Sequence, residues 1–186
     1  MMQKSIQGYD AATGKFLWSF RHVTEYDINP NIPIYNDGYL YCTSGYGTGG
    51  VMLKFAPDGT SVKQVWKETT LDPRMGGVVL LNGRIYGSGD RNRQTVCLDW
   101  KTGKVLYSLK QLAPANIISN AGLLYIYSES GQISLVRPKT DAFEIISSFK
   151  VPLGSGTHWA HLVINNKKLY VRHGASLMVF DIGTTG

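Results

Sequence analysis

Tyr9-Asp10-Ala11-Ala12-Thr13-Gly14-Lys15-Phe16-Leu17-Trp18 is the stretch from which the fold is read, because it returns as Leu98-Asp99-Trp100-Lys101-Thr102-Gly103-Lys104-Val105-Leu106-Tyr107. The Asp of such a segment can accept hydrogen bonds from the backbone of its own turn, and the Gly can take the left-handed conformation that closes it. The element therefore reads as a hairpin, with Asp10, Thr13, Gly14, Trp18, Asp99, Thr102 and Gly103 as its structural positions. Weaker copies follow. Phe55-Ala56-Pro57-Asp58-Gly59-Thr60 keeps the turn and loses the acid at the leading position, and Val136 to Asp141 is degenerate. Phe180-Asp181-Ile182-Gly183-Thr184-Thr185-Gly186 begins a further copy.

A second element alternates with the first. Asn36-Asp37-Gly38-Tyr39-Leu40-Tyr41 recurs as Leu81 to Tyr86, as Asn120 to Tyr125 and as Asn165 to Tyr170, with the tyrosines 45, 39 and 45 residues apart. Asn-Gly or Asp-Gly between apolar runs marks a tight hairpin, since both turn residues must tolerate positive φ. Two hairpins in each repeat make a four-stranded antiparallel sheet, the unit of a β-propeller. No segment sustains a 3.6-residue apolar period, which excludes a solenoid of strands and helices. The fold class expected is all-β: a propeller of about four blades, three complete and one split between the termini.

Composition agrees. Of 186 residues, 43% are hydrophobic and 17% charged, which excludes a disordered chain. Glycine is abundant at 21 residues, as short strands and tight turns require. The net charge of +6 is spread out, its densest spots being Asp90-Arg91-Asn92-Arg93 and Lys167-Lys168, so no nucleic-acid partner is expected. Cys42 and Cys97 hold non-equivalent repeat positions and read as buried free thiols. Residues 1–10 lack the apolar core of a signal peptide, and no stretch is long enough to span a membrane.

The Tyr-Asp-x-x-Thr-Gly-Lys-x-x-Trp pattern after a Gly-x-Leu/Ile-Tyr strand resembles the repeat of PQQ-like (pyrroloquinoline-quinone-type) β-propellers. That family includes quinoprotein alcohol dehydrogenases, the propeller lipoprotein of bacterial outer-membrane assembly and many uncharacterised exported bacterial proteins. The resemblance covers nearly the whole chain and implies a periplasmic or extracytoplasmic protein, in tension with the N-terminal residues. It also implies seven or eight blades in a full ring. Residues 1–186 then form a single propeller domain or the C-terminal part of a larger one. Three arrangements stay open: a piece of a longer propeller, a homodimer forming an eight-blade ring, or a four-bladed ring closed by its own ends.

Catalytic members hold the quinone in the central channel beside a divalent cation, an Asp base and a vicinal disulfide. This sequence has no adjacent cysteines and no acidic cluster with calcium-ligand spacing, so no catalytic residue and no metal or cofactor is expected. PQQ with a divalent cation belongs to the alternative reading, part of a quinoprotein oxidoreductase. The reading preferred is a non-catalytic scaffold whose partner is a protein or a small polar ligand; sugar or polyol binding is a further alternative. The ligand residues expected are His158, Trp159, His161, Arg172 and His173, placed on one rim of the channel. Ordinary strand ends and solvated turns are the competing account of the same residues. Gly45 to Gly50 precedes a strand, not a helix, and reads as a hairpin loop with no nucleotide role.

Overall fold

In the computed structural model, which describes residues 1–26 and 28–183, the Asn-Gly and Asp-Gly signals become two-residue turns with both central residues at positive φ. Asp37 and Gly38 (49° and 76°), Asn82 and Gly83 (50° and 72°), Ala121 and Gly122 (48° and 76°), and Asn166 and Lys167 (47° and 59°) all follow this pattern. Its twist matches that of the strands it joins. The Asp-x-x-Thr-Gly turn is equally regular. Asp10 Oδ1 accepts from Thr13 N (2.8 Å) and Thr13 Oγ1 (2.6 Å), and Asp99 Oδ1 accepts from Thr102 N (2.8 Å) and Oγ1 (2.7 Å). The Thr13 and Thr102 hydroxyls hold these two carboxyls below the usual carboxylate range.

The strands between these turns fall into five antiparallel sheets. Strands β1 (Ser5–Tyr9) and β2 (Phe16–Arg21) form a hairpin. The first complete blade is β3 (Ile34–Asn36), β4 (Tyr39–Ser44), β5 (Gly49–Phe55) and β6 (Val62–Glu68). The second is β7 (Val79–Leu81), β8 (Arg84–Gly89), β9 (Gln94–Asp99) and β10 (Val105–Leu109). The third is β11 (Ala115–Asn120), β12 (Leu123–Ser128), β13 (Gln132–Pro138) and β14 (Phe143–Lys150). A three-stranded sheet, β15 (Val163–Asn165), β16 (Lys168–His173) and β17 (Ser176–Asp181), comes last. Within each blade the strands are in simple meander order. No helix among the described residues is long and apolar enough to cross a membrane.

The sheets stack face to face, and each interface has its own core. Ile6 and Trp18 pack with Cys42, Val51 and Leu53 of the first blade. That blade's Tyr41 and Met52 meet Ile85, Val96, Leu98 and Trp100 of the second. Tyr86 and Cys97 then meet Ile117, Leu124 and Ile126 of the third, whose opposite face gives Tyr125, Tyr127 and Ile133 to Leu169, Val171 and Met178. Covered on both sides, central strands are the most continuously buried: β8 and β12 are buried at five of six positions, and β5 at five of seven. Removing one such side chain, as in Leu98→Ala, costs about 2–5 kcal/mol. The aromatic after each Asp turn reaches the next sheet: Trp18 lies edge-on to Phe55 (5.6 Å between centroids), and Trp66 donates its Nε1 to Trp100 O (3.2 Å).

The fold class is that expected, an antiparallel β-propeller with three complete blades. Among the described residues the expected joining of the two ends into one blade is not made: β1–β2 and β15–β17 are separate sheets with no shared ladder. The reason lies in the repeat: β1 and β17 both run into an Asp turn, at Asp10 and Asp181, and so are the same third strand of a blade. Thr184 to Gly186, in the last copy of the turn, lie outside the described residues. The final sheet starts only at Val163, the Trp159 and Ala160 carbonyls being turned to Asn116.

Two glycines separate backbone strain from packing. Gly83 has φ +72° and open space where a Cβ would stand, whereas Gly103 has φ +70° and a Cβ there would lie 2.5 Å from the Trp66 ring. Gly83→Ala is expected to cost about 1–2 kcal/mol from the left-handed backbone alone. Gly103→Ala is expected to cost about 2–4 kcal/mol, since the ring must also move. Urea denaturation of the two variants checks this; equal losses would mean that Trp66 does not fix Gly103.

Candidate functional site

Antiparallel meanders put every blade-to-blade crossing and every loop between second and third strands on one face. The crossings span residues 22–33, 69–78, 110–114 and 151–162; the loops are 45–48, 90–93, 129–131 and 174–175. All four histidines lie in these segments or at their edge, His173 being the last residue of β16.

One buried carboxylate organises the first half of this face. Asp72 is 1% exposed and belongs to the crossing between the first and second blades. Its Oδ2 accepts from Gly47 N (2.8 Å) and its Oδ1 from Asp90 N (2.8 Å), with Arg91 N 3.4 Å from both oxygens. Loops of two different blades are thus tied to one side chain. Burial raises the Asp72 carboxyl above its usual range, against the opposing pull of those N–H groups. Two residues on, Arg74 Nε lies 2.8 Å from Asp90 Oδ1 and its other end pairs with Glu129 of the third blade. Glu129 Oε1 also accepts from Trp159 Nε1 (3.3 Å), while Arg93 stands 3.9 Å from Oε2. The Arg74 guanidinium lies 5.6 Å from the Trp159 ring centre.

The second half is the 151–162 crossing, pinned at three points. Both ring nitrogens of buried His173 face its carbonyls, Nδ1 at 2.9 Å from Leu153 O and Nε2 at 3.0 Å from Gly156 O. His158 stacks on His173 (3.7 Å between centroids, 22° between planes), with its Nδ1 2.6 Å from the Tyr127 hydroxyl. At the far end His161 Nε2 lies 3.0 Å from Met75 O, and buried Asn116 Nδ2 donates to Trp159 O (3.0 Å). Burial, then the charges of His173 and Lys150, hold the His158 imidazole below its usual range.

Of the five residues expected on the rim, His158, Trp159 and His173 come together, and His161 turns towards the second blade. Arg172 is not with them. Neighbours on a strand point to opposite faces, so it stands with Tyr170 and Leu177 on the outer face of the last sheet, where its Nε donates to Gly174 O (3.0 Å). The residues that sequence reading missed are Asp72, Arg74 and Glu129. Their signal was position: Asp72 and Arg74 are charged residues in a crossing, and Glu129 opens its loop as the acidic Asp90 opens the equivalent loop of the second blade.

Among the described residues no three His, Cys, Asp or Glu side chains converge as cation ligands. Cys42 on β4 and Cys97 on β9 are buried, free and in different blades, and burial pushes the Cys42 thiol up to about 12.

No family model matches the chain, and no curated protein matches it. Among solved structures it is similar to BamB from Moraxella catarrhalis, with a TM-score of 0.70 and 22% identity over 95% of this chain and 51% of that one. It is similar also to the computationally designed Ika8 protein (TM-score 0.71, 10% identity, 97% and 54% covered). A protein of unknown function from Desulfotomaculum acetoxidans DSM 771 gives a TM-score of 0.67 at 16% identity, with 96% and 61% covered. The likeness is one of propeller fold, and the chain spans roughly half to three-fifths of the length of these structures.

A buried imidazole makes the stability of this face pH-dependent. His22 is 4% exposed, with Nε2 3.1 Å from Ser44 Oγ, and burial followed by the charge of Lys67 lowers it to about 4. The native state therefore holds the neutral ring while the unfolded chain takes up a proton near pH 6.5. Stability is expected to be full above pH 6.5 and to fall by about 2 kcal/mol as the pH drops towards 4, solvent screening included. Urea midpoints of the parent and His22→Gln across that range check it; the variant should lose much of the slope.

Proposed function

We propose that the chain is a non-catalytic protein-interaction scaffold built from PQQ-like propeller blades, and that its partner docks on the loop face. One observation carries this reading. Exposed arginine and aromatic side chains stand there on a backbone fixed by buried polar groups. Arg91 is 68% exposed on a loop whose amides are held by Asp72, with Glu25 3.8 Å away. Tyr26 is half exposed and packs edge-on against Tyr46 at 4.7 Å. Arginine, tyrosine and tryptophan are the residues that most often dominate binding energy, and pre-ordered loops lose little entropy on docking.

The PQQ-like assignment rests on the Asp-x-x-Thr-Gly-Lys turn and its aromatic partner, which form the same way at Asp10 and at Asp99. The resemblance of that repeat to a family containing both enzymes and an assembly lipoprotein supports either use of the fold. An extracytoplasmic location belongs to the same proposal.

Photo-cross-linking tests it. A cross-linking amino acid replaces Tyr26 or Arg91 on the loop face, or Asn82 or Asn120 on the opposite hairpins, in cells that make the protein. Discrete adducts with the same protein are expected from positions 26 and 91 and not from 82 and 120. Identical patterns from both faces, or no adduct from either loop position, would count against the proposal.

A further inference from the structure

Between Trp159 and the loop at 129–131 lies an open cleft of about 430 Å³, and it is chemically unlike the rest of the face. We propose that this cleft binds one neutral sugar ring, with the indole of Trp159 as its floor. This goes beyond docking of a protein partner and does not depend on it.

The indole is placed before any ligand arrives. Its Nε1 is bonded to Glu129, its carbonyl is held by Asn116, and the Arg74 guanidinium lies over the ring. Even so, the side chain remains 47% exposed. A pyranose offers the matching chemistry, a face of C–H groups that leaves water for an aromatic surface while its hydroxyls radiate outward. Around the indole stand groups suited to those hydroxyls. Glu129 accepts; Arg93, 63% exposed, donates; Ser130 and Thr157 can do either. Among the described residues the hydrogen bonds from Arg74 and Trp159 go to Glu129 Oε1, and Oε2 stands 3.9 Å from Arg93, so it retains acceptor capacity.

Charge selects against ionic ligands. The cleft is lined by one guanidinium, Arg93, and one carboxylate, Glu129, and the latter is already paired with Arg74. An anionic ligand meets that carboxylate and a cationic one the Arg93 guanidinium, whereas an uncharged polyol meets no like charge. The volume falls within the roughly 300–1,000 Å³ of small-molecule sites.

Tryptophan fluorescence reads the binding, since Trp18 and Trp100 are buried and Trp159 is the exposed indole among the four. The parent is titrated with methyl β-D-glucopyranoside, methyl α-D-mannopyranoside and methyl β-D-galactopyranoside, and with glucuronate and glucose 6-phosphate as charged controls. A saturable change is expected with at least one neutral glycoside, at a Kd of about 1–10 mM, and weaker binding with the charged sugars. Glu129→Gln should weaken it by about tenfold and Trp159→Phe by about threefold, whereas Trp159→Ala should abolish it. Oxidation of Trp159 in the parent by N-bromosuccinimide should slow when the sugar is present, a readout that needs no variant. No saturable change with any of the three glycosides, or unprotected Trp159 at saturating sugar, overturns the proposal. Neither result bears on cross-links formed at positions 26 and 91, so failure of the sugar site and failure of protein docking are told apart.

Discussion

A four-stranded sheet that is apolar on both faces has to be covered on both faces. This constraint governs the chain from Ile6 to Met178. Each blade gives one face to the blade before it and the other to the blade after. The central strands β5, β8 and β12 are buried almost without interruption, and no polar alternation survives in them. The outer strands β6, β10 and β14 escape this and keep exposed residues along their length. Loop geometry follows from the same stacking. Blades pressed face to face bring crossings and loops from different blades within reach of single side chains, as at Asp72 and Glu129.

What could be read from the sequence was what is local. The turns at Asp10 and Asp99 need only a carboxylate, a threonine three residues on and a glycine, all inside one short segment. The paired positive φ values at 37–38 and 82–83 follow from residues that tolerate them, and at 121–122 and 166–167 the surrounding strands impose the same turn on Ala-Gly and Asn-Lys. The loop face is a different kind of object. Arg74 meets Glu129 across 55 residues and His161 meets Met75 across 86, and neither pair leaves a periodic trace. Arg172 and His173 are adjacent in sequence and were read together, but a strand sends neighbours to opposite faces and only the histidine enters the face.

The division of labour between the two ends of the blades is equally physical. On the hairpin end, short-range bonds close each turn within its own blade, and the carboxyls at Asp10 and Asp99 are held low by their own threonines. On the loop end, carboxylates reach across blades, and burial raises Asp72 and Glu68 despite the N–H groups around them. Polar groups that are buried and shared between elements fix positions more strictly than exposed ones. Such fixing suits a surface meant to present side chains in a set arrangement.

Because the apolar clusters among the described residues join sheets that are consecutive along the chain, the molecule has a mechanical grain. Stretched between its ends in an optical trap, it would not give way at once. The cross-blade ties at His161, Glu129 and Asp72 would rupture first, and the sheets would then peel away singly. Each rupture would free a repeat of ~40 residues, or about 140 Å of slack. The force record of this chain would be a short staircase whose tread is the length of one blade.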